Sequence, residues 1–148
     1  MSKTTYIHYG SDHFDIDKFV VYDDKMRNAD INEPGYGLWA CRTDDSYGWK
    51  KYCEENGYHT DKLSQSFTFK LRRCAKIFRV GNLLDIKGWT TTYLNGLARC
   101  IDFNRIMDKY DGMELIHGKN YEDLRYSYFY SWDVDSIVIW NPQVLQLL

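Results

Sequence analysis

The stretch Tyr6-Ile7-His8-Tyr9-Gly10-Ser11 combines a β-strand pattern with polar groups at its end. Its first residues are aromatic and β-branched, which favours a strand, and we predict one over residues 5–9. His8 lies near the end of this predicted strand, and Gly10 and Ser11 follow directly after it. Because glycine lets another group approach the backbone closely, the end of this strand is a candidate contact point for a ligand.

A second strand with polar residues beside it is predicted late in the sequence. Trp132-Asp133-Val134-Asp135-Ser136-Ile137-Val138-Ile139-Trp140 contains a β-branched apolar run, and Asn141-Pro142 ends it. Alternate residues of a strand point to the same face, so we expect Asp133 and Asp135 to lie together. Two carboxylates beside a pocket could stabilise positive charge that develops on a sugar carbon.

Aromatic residues between these two strands suggest a slot for a flat ring. Gly37-Leu38-Trp39-Ala40-Cys41 has the pattern of a short strand, and Trp49 lies in a helix predicted over residues 47–55. Trp39 and Trp49 could hold a ring between them, and a cationic ring especially. The alternative is that both indoles pack in the core between helix and sheet.

The order of the predicted elements favours an α+β fold rather than a regular βα alternation. The chain has 148 residues, which predicts a single domain over residues 1–148. Besides the segments above, we predict strands over residues 67–71, 74–80 and 113–116 and helices over residues 94–100 and 103–109.

Composition narrows the function classes. The net charge is −2, so no overall field attracts nucleic acid or anionic lipid. The sequence has no apolar run long enough to cross a membrane, and no membrane association is expected. Aromatic residues make up 17% of the chain, and tyrosine and tryptophan are favoured at binding surfaces.

The cysteines indicate a reducing compartment. Cys41, Cys53, Cys74 and Cys100 are scattered and form neither a C-x-x-C pair nor a zinc-ligand pattern. We therefore expect free thiols and a cytoplasmic protein.

Two further clusters of residues have the side-chain types of a binding site, one for a metal ion and one for nucleic-acid bases. Asp12, His13, Asp15 and Asp17 are potential metal ligands, but they lack the glycine and the terminal glutamate of a calcium loop, so no metal is expected. Aromatic residues with one arginine could stack on bases in a nucleic-acid-binding module: Arg125, Tyr126, Tyr128, Phe129 and Tyr130.

Three motifs taken in order resemble the ADP-ribosyltransferase fold, in its diphtheria-toxin and PARP-like branch, the His-Tyr-Glu class. They are His8-Tyr9-Gly10-Ser11, then Gly37-Leu38-Trp39 followed by Trp49, and last Asp135 before an apolar strand. Residues 38–41 and 46–50 are also similar to small uncharacterised bacterial and phage proteins of this kind. The resemblance implies a split β-sheet core with short flanking helices, and it suggests a bacterial or phage effector.

The resemblance also implies a role for each motif, with NAD as the substrate. His8 would hydrogen-bond the ribose, the backbone of Gly10 would bind the nicotinamide amide, and Ser11 would lie beside the same ribose. Trp39 and Trp49 would enclose the nicotinamide, in place of two tyrosines of the family.

Asp135 stands where the family has its catalytic glutamate, and it is one methylene shorter. Asp133, two residues earlier, is the second candidate, and Glu114 and Glu122 are more remote ones. The implied reaction breaks the nicotinamide–ribose bond and transfers ADP-ribose to an unidentified protein or nucleic-acid target, or to water. The alternative is a catalytically inactive member that inhibits a partner through its aromatic cleft.

Overall fold

The computed structural model describes residues 4–16, 34, 37–45 and 47–148. Within them the chain forms strands and short helices, which confirms the α+β class. The elements in chain order are β1 (Tyr6–Tyr9), β2 (Leu38–Arg42), α1 (Trp49–Asn56), β3 (Ser66–Leu71), β4 (Ile77–Val80), β5 (Thr90–Tyr93), β6 (Ala98–Ile101), α2 (Phe103–Lys109), β7 (Gly112–Leu115), α3 (Tyr121–Arg125), β8 (Ser136–Ile139) and β9 (Leu145–Leu147).

Seven of the strands form one sheet in the order β4-β7-β8-β2-β1-β3-β9, and β5 and β6 form a separate hairpin. Only β4 and β7 pair in parallel; every other neighbouring pair of described strands is antiparallel. The strands with the candidate motifs, β1, β2 and β8, are therefore adjacent in the middle of the sheet.

The sheet separates between β1 and β2. Their pairing is limited to Tyr6 with Arg42 and Ile7 with Cys41, whereas β1 pairs with β3 over all four of its residues. Beyond Ile7 the two strands diverge, and β2 continues beside β8 instead. The divergence leaves a gap between the end of β1 and the start of β2.

Alternation along the strands builds a hydrophobic cluster on each face of the sheet. One face contributes Met113, Leu115 and Val138, which pack with α2, α3 and Trp132. The other face contributes the strand residues of the opposite alternation, since consecutive residues point to opposite faces: Leu38, Ala40, Ile137 and Ile139, with Tyr6 and Phe69 from β1 and β3.

A buried ion cluster ties β7 to the neighbouring strands. Glu114 is only 2% exposed, and its carboxylate accepts two hydrogen bonds from Arg42, at 2.8 and 2.9 Å. Arg79 donates a third at 3.1 Å, and the Tyr6 hydroxyl donates a fourth at 3.1 Å. Burial and the nearby carboxylate raise the pKa of Tyr6 to about 12, so its hydroxyl stays a donor.

The predicted helix over residues 94–100 is wrong, because this segment closes the β5–β6 hairpin. Leu94 and Asn95 have positive φ angles of 52° and 56°, a conformation that a right-handed helix does not contain. The threonines and tyrosine of β5 pair with β6 across this turn. The apolar spacing of Leu94, Leu97 and Ala98 suggested a helix, but Leu94 and Leu97 are exposed.

Other predicted elements are confirmed within one to three residues at their ends. Helix α2 spans Phe103–Lys109, as predicted, and Asp102 caps it by accepting from the backbone N–H of Arg105. Helix α1 ends at Asn56, where Gly57 adopts the left-handed conformation. Strand β9 was not predicted, since it is only three residues long and follows the Asn141-Pro142 stop signal.

Candidate functional site

A cleft of about 540 Å³ opens where β1 and β2 diverge. Its volume lies within the range of small-molecule sites in proteins. We call it the aromatic cleft, because six of its lining residues are aromatic: Tyr9, Trp39, Trp49, Tyr52, Tyr58 and Trp132.

His8 bridges the gap between the two strands. Its Nδ1 lies 2.6 Å from the carbonyl oxygen of Trp39, and its ring packs against Phe67 at 5.1 Å. Burial lowers the pKa of His8, and the hydrogen bond to Trp39 opposes this only in part. A carbonyl can only accept, so the neutral ring carries its hydrogen on Nδ1 and keeps Nε2 as an acceptor.

The two tryptophans both line the cleft but pack against different neighbours. Trp39 meets Trp132 edge-on, with the ring centroids 4.7 Å apart. Trp49 stacks on Tyr52 at 5.5 Å and meets Tyr58 edge-on at 6.0 Å. Each indole is therefore supported on one side by another ring and contributes to the wall of the cleft on the other. Both remain partly exposed, which fits a slot better than a closed core.

Among the described residues, Asp133 is the carboxylate that lines the aromatic cleft. Its Oδ1 lies 3.3 Å from Nη2 and 3.4 Å from Nη1 of Arg125. Arg125 also donates to the carbonyl of Trp132, the residue before Asp133, at 3.3 Å. The charge of Asp133 contributes to raising the pKa of Tyr52, after burial. Asp133 is thus held at the cleft by an arginine from the end of α3.

Asp135 does not line the aromatic cleft. The residue and Asp133 both precede β8, which begins at Ser136, so the expected strand alternation does not apply to them. Oδ1 of Asp135 accepts the backbone N–H of His117 at 2.7 Å and lies 2.7 Å from His117 Nδ1. The two carboxylates therefore do not lie on a strand, and of the two only Asp133 lines the aromatic cleft. Ser136 and Asp133 line the cleft instead.

Gly10 and Ser11 lie at the end of β1 but do not line the aromatic cleft. Gly10 has a φ of +109°, which favours glycine, and its N–H donates to the carbonyl of Gln65 at 2.9 Å. The Ser11 hydroxyl donates to the carbonyl of His13 at 2.7 Å. Both the Gly10 N–H and the Ser11 hydroxyl are therefore engaged within the chain.

The remaining carboxylate candidates lie elsewhere. Glu114 is committed to the buried ion cluster, and Glu122 is exposed on α3. Of the potential metal ligands, Asp12 lies 2.6 Å from His13, and Asp17 lies outside the described residues. In the part of the chain that the structure describes, no group of three or more His, Cys, Asp or Glu side chains could hold a metal ion.

The aromatic group around Arg125 does not form one stacking surface. Phe129 is fully buried, whereas Tyr126 and Tyr130 are exposed. Arg125 is directed to Asp133 and lies 5.7 Å from the Tyr130 ring centroid. The segment therefore contributes both to the core and to the support of the cleft.

Several further cleft residues were not predicted as site residues from the sequence, among them Tyr52, Tyr58, Trp132 and Ser136. Tyr52 lies one helical turn from Trp49 on α1, so the helical spacing could have identified it. Tyr58, Trp132 and Ser136 are distant from β1 in the sequence, and no local pattern links them to that strand.

The four cysteines are free, as predicted, and all but Cys74 are buried. Cys41 lines the aromatic cleft, and burial raises its pKa to about 11. The thiol is therefore protonated at neutral pH and is a poor nucleophile.

Comparison of the chain with protein-family models, curated proteins and solved structures finds no match. Among the described residues, no helix is both long enough and apolar enough to cross a membrane.

Proposed function

We propose that the protein is an NAD-dependent ADP-ribosyltransferase and that the aromatic cleft binds the nicotinamide end of NAD. The observation that carries the proposal is the divergence of β1 and β2. It brings His8, Trp39, Trp49 and Asp133, which lie far apart in the sequence, to the walls of one cleft. Three of these four are residues to which the family resemblance gives a role.

The proposed reaction needs a flat aromatic slot and one carboxylate. The two indoles enclose the nicotinamide ring, whose positive charge is attracted to aromatic faces. The bond between the ring nitrogen and the ribose carbon breaks, and nicotinamide leaves with the electron pair. The positive charge that remains on the ribose is stabilised by a carboxylate. The acceptor then bonds to that carbon and loses a proton to solvent.

Asp133 is the carboxylate that we assign to this step, in place of Asp135. It lines the cleft, and its Oδ1 lies 3.3 Å from the guanidinium of Arg125. His8 presents Nε2 as an acceptor for a ribose hydroxyl, since Nδ1 is held by Trp39. Asp135 is engaged by His117 outside the cleft.

The proposal is tested by the release of labelled nicotinamide from NAD in the presence of cell lysate, with incorporation of labelled ADP-ribose measured in parallel. We expect Asp133→Asn and His8→Ala each to lower the rate by about a hundredfold, the scale expected when a catalytic group is displaced by about an ångström. Asp135→Asn should retain more activity than Asp133→Asn.

Glu54→Gln is the matched control, because Glu54 lies exposed on α1 and does not line the cleft. Equal rates for the wild type and Asp133→Asn would overturn the assignment of Asp133. Equal rates for all the variants would overturn the proposed enzyme.

A second candidate function is a catalytically inactive protein that binds a nucleotide or a partner through the same cleft. The placement of Asp135 outside the cleft favours it, because that is the position at which the family has its glutamate. Calorimetry with NAD separates the two: binding without any release of nicotinamide supports the inactive form, and turnover excludes it.

A further inference from the structure

A second pocket, of about 330 Å³, adjoins the aromatic cleft. The two cavities share Asp133 and Val134 as lining residues, so the segment before β8 forms the wall between them. We call this second cavity the acidic pocket, because three carboxylates line it: Asp45, Asp133 and Asp135.

The carboxylates that line the acidic pocket can accept hydrogen bonds, and a buried histidine lies beside them. Oδ1 of Asp135 accepts from Nδ1 of this residue, His117, at 2.7 Å. His117 is 3% exposed and lines the pocket. Its Nε2 is the one buried side-chain nitrogen or oxygen among the described residues that has no hydrogen-bond partner. A buried polar atom without a partner is costly, and a group bound in the pocket could supply that partner.

The charge of the acidic pocket is not balanced by the cations around it. Arg125 is close to Asp133, and Arg42 acts on Asp45 from β2. Burial, together with the nearby carboxylates of Asp135 and Asp44, nevertheless raises the pKa of Asp45 to about 6. The site therefore holds more negative charge than its own residues neutralise.

Two tyrosines complete the acidic pocket. Tyr47 and Tyr121 line it, and both are about 40% exposed. Each ring already attracts a cation of this chain: Lys51 Nζ is 5.7 Å from the Tyr47 centroid, and the Arg125 guanidinium is 5.9 Å from that of Tyr121. Aromatic rings beside carboxylates suit a planar guanidinium, which stacks and donates several hydrogen bonds at once.

We propose that the acidic pocket binds an arginine side chain of a protein partner, next to the aromatic cleft. The carboxylates of Asp45 and Asp135 accept its N–H groups, and Tyr47 and Tyr121 cover its planar faces. The binding itself does not depend on the reaction. Its meaning as the place where a target protein docks beside NAD rests on the proposed function.

The test is a titration of the full-length protein, without NAD, with N-acetyl-arginine amide at low salt, followed by NMR or calorimetry. The neutral analogue N-acetyl-citrulline amide has nearly the same shape. We expect it to bind at least about tenfold more weakly, because it cannot form charge-assisted hydrogen bonds. Equal affinity for the two probes would overturn the proposal, and equal affinity for N-acetyl-lysine amide would overturn the choice of a guanidinium.

Two variants locate the site, and a third serves as the control. Asp45→Asn and Asp135→Asn should each weaken arginine binding by about five- to tenfold. Asp61→Asn removes the same charge from an exposed position that lines neither cavity, and it should leave binding unchanged. If Asp135→Asn fails to fold after losing its contact with His117, Asp45→Asn alone decides. Equal weakening in Asp61→Asn would reduce the effect to net charge and contradict the pocket.

The outcome is independent of the nicotinamide assay. If the protein binds arginine but releases no nicotinamide, the arginine-binding proposal stands and the proposed enzyme function is overturned. If the protein releases nicotinamide but shows no preference for arginine, only the arginine-binding proposal is overturned.

Discussion

At the scale of single residues, the site depends on which neighbour holds each polar side chain. His8 is fixed by a backbone carbonyl, Asp133 by Arg125 and Asp135 by His117. Two aspartates only two residues apart thus have different partners, and only one of them lines the aromatic cleft. The chemistry of a carboxylate is set by such contacts more than by its residue type.

Asp45 gives a residue-scale prediction about pH. Its folded-state pKa of about 6 lies above the ordinary value of 3.8, so the folded protein binds this proton more tightly than the unfolded one. By linkage, the ionised group opposes folding above about pH 6, and the penalty disappears as the pH falls toward 4. We expect Asp45→Asn to raise the free energy of unfolding at pH 7.5 by about 1 kcal/mol, discounted because the group is partly exposed.

Urea denaturation of the wild type and Asp45→Asn at pH 7.5 and pH 4.5 measures this effect. The gain in stability should shrink at the lower pH, while Asp61→Asn should change stability by less than about 0.5 kcal/mol at both. A gain for Asp45→Asn that is as large at pH 4.5 as at pH 7.5 would show that burial and like charge do not raise this pKa.

At the scale of elements, the sequence predicts strands better than the position of side chains at their ends. β1, β3 and β8 follow from alternation and β-branched residues, and α1 and α2 from helical spacing and their end signals. The helix predicted over residues 94–100 is wrong because hairpin pairing with β5 outweighs the local helix preference of this segment. The strand alternation that we expected for Asp133 and Asp135 does not apply, because β8 begins only at Ser136.

Gly37 gives the prediction at this scale, because β2 passes very close to β8 at its start. A Cβ at Gly37 would lie 2.5 Å from Val138 Cγ2 and 3.2 Å from the carbonyl oxygen of Ile139, and φ is +150°. We therefore expect Gly37→Ala to lower the free energy of unfolding by about 2–4 kcal/mol through strain and overpacking together.

Gly88→Ala separates the two causes. Gly88 has a φ of +82°, and a Cβ there would meet no atom within 4 Å, so its replacement reports backbone strain alone, about 1–2 kcal/mol. Denaturant titration of both variants gives the difference. If Gly37→Ala costs no more than Gly88→Ala, the close approach of β2 to β8 is not a constraint on this fold.

At the scale of the whole molecule, one sheet carries a hydrophobic cluster on each face, and β2, β4 and β8 contribute to both. The strands couple the clusters, so the two should be lost together in a cooperative transition. Phe69 and Met113 are fully buried, one in each cluster.

We expect Phe69→Ala to cost about 3–5 kcal/mol and Met113→Ala about 2–5 kcal/mol. Each variant should shift one common transition, seen both by tryptophan fluorescence and by far-ultraviolet circular dichroism. Two separate transitions in either variant would instead indicate that the faces of the sheet unfold independently.

The sequence by itself determined the α+β class, most of the strands and both longer helices, and it singled out His8, Trp39 and Trp49, which line the aromatic cleft. Those features depend on local propensity and on periodicity, which neighbouring residues encode. Only the tertiary structure decided where β1 and β2 separate, that Asp133 rather than Asp135 lines the resulting cleft, and that His117 and Asp45 form a second pocket beside it. These arrangements depend on contacts between residues distant in sequence, such as His117 and Asp135, whose positions differ by 18. No local sequence pattern encodes such contacts.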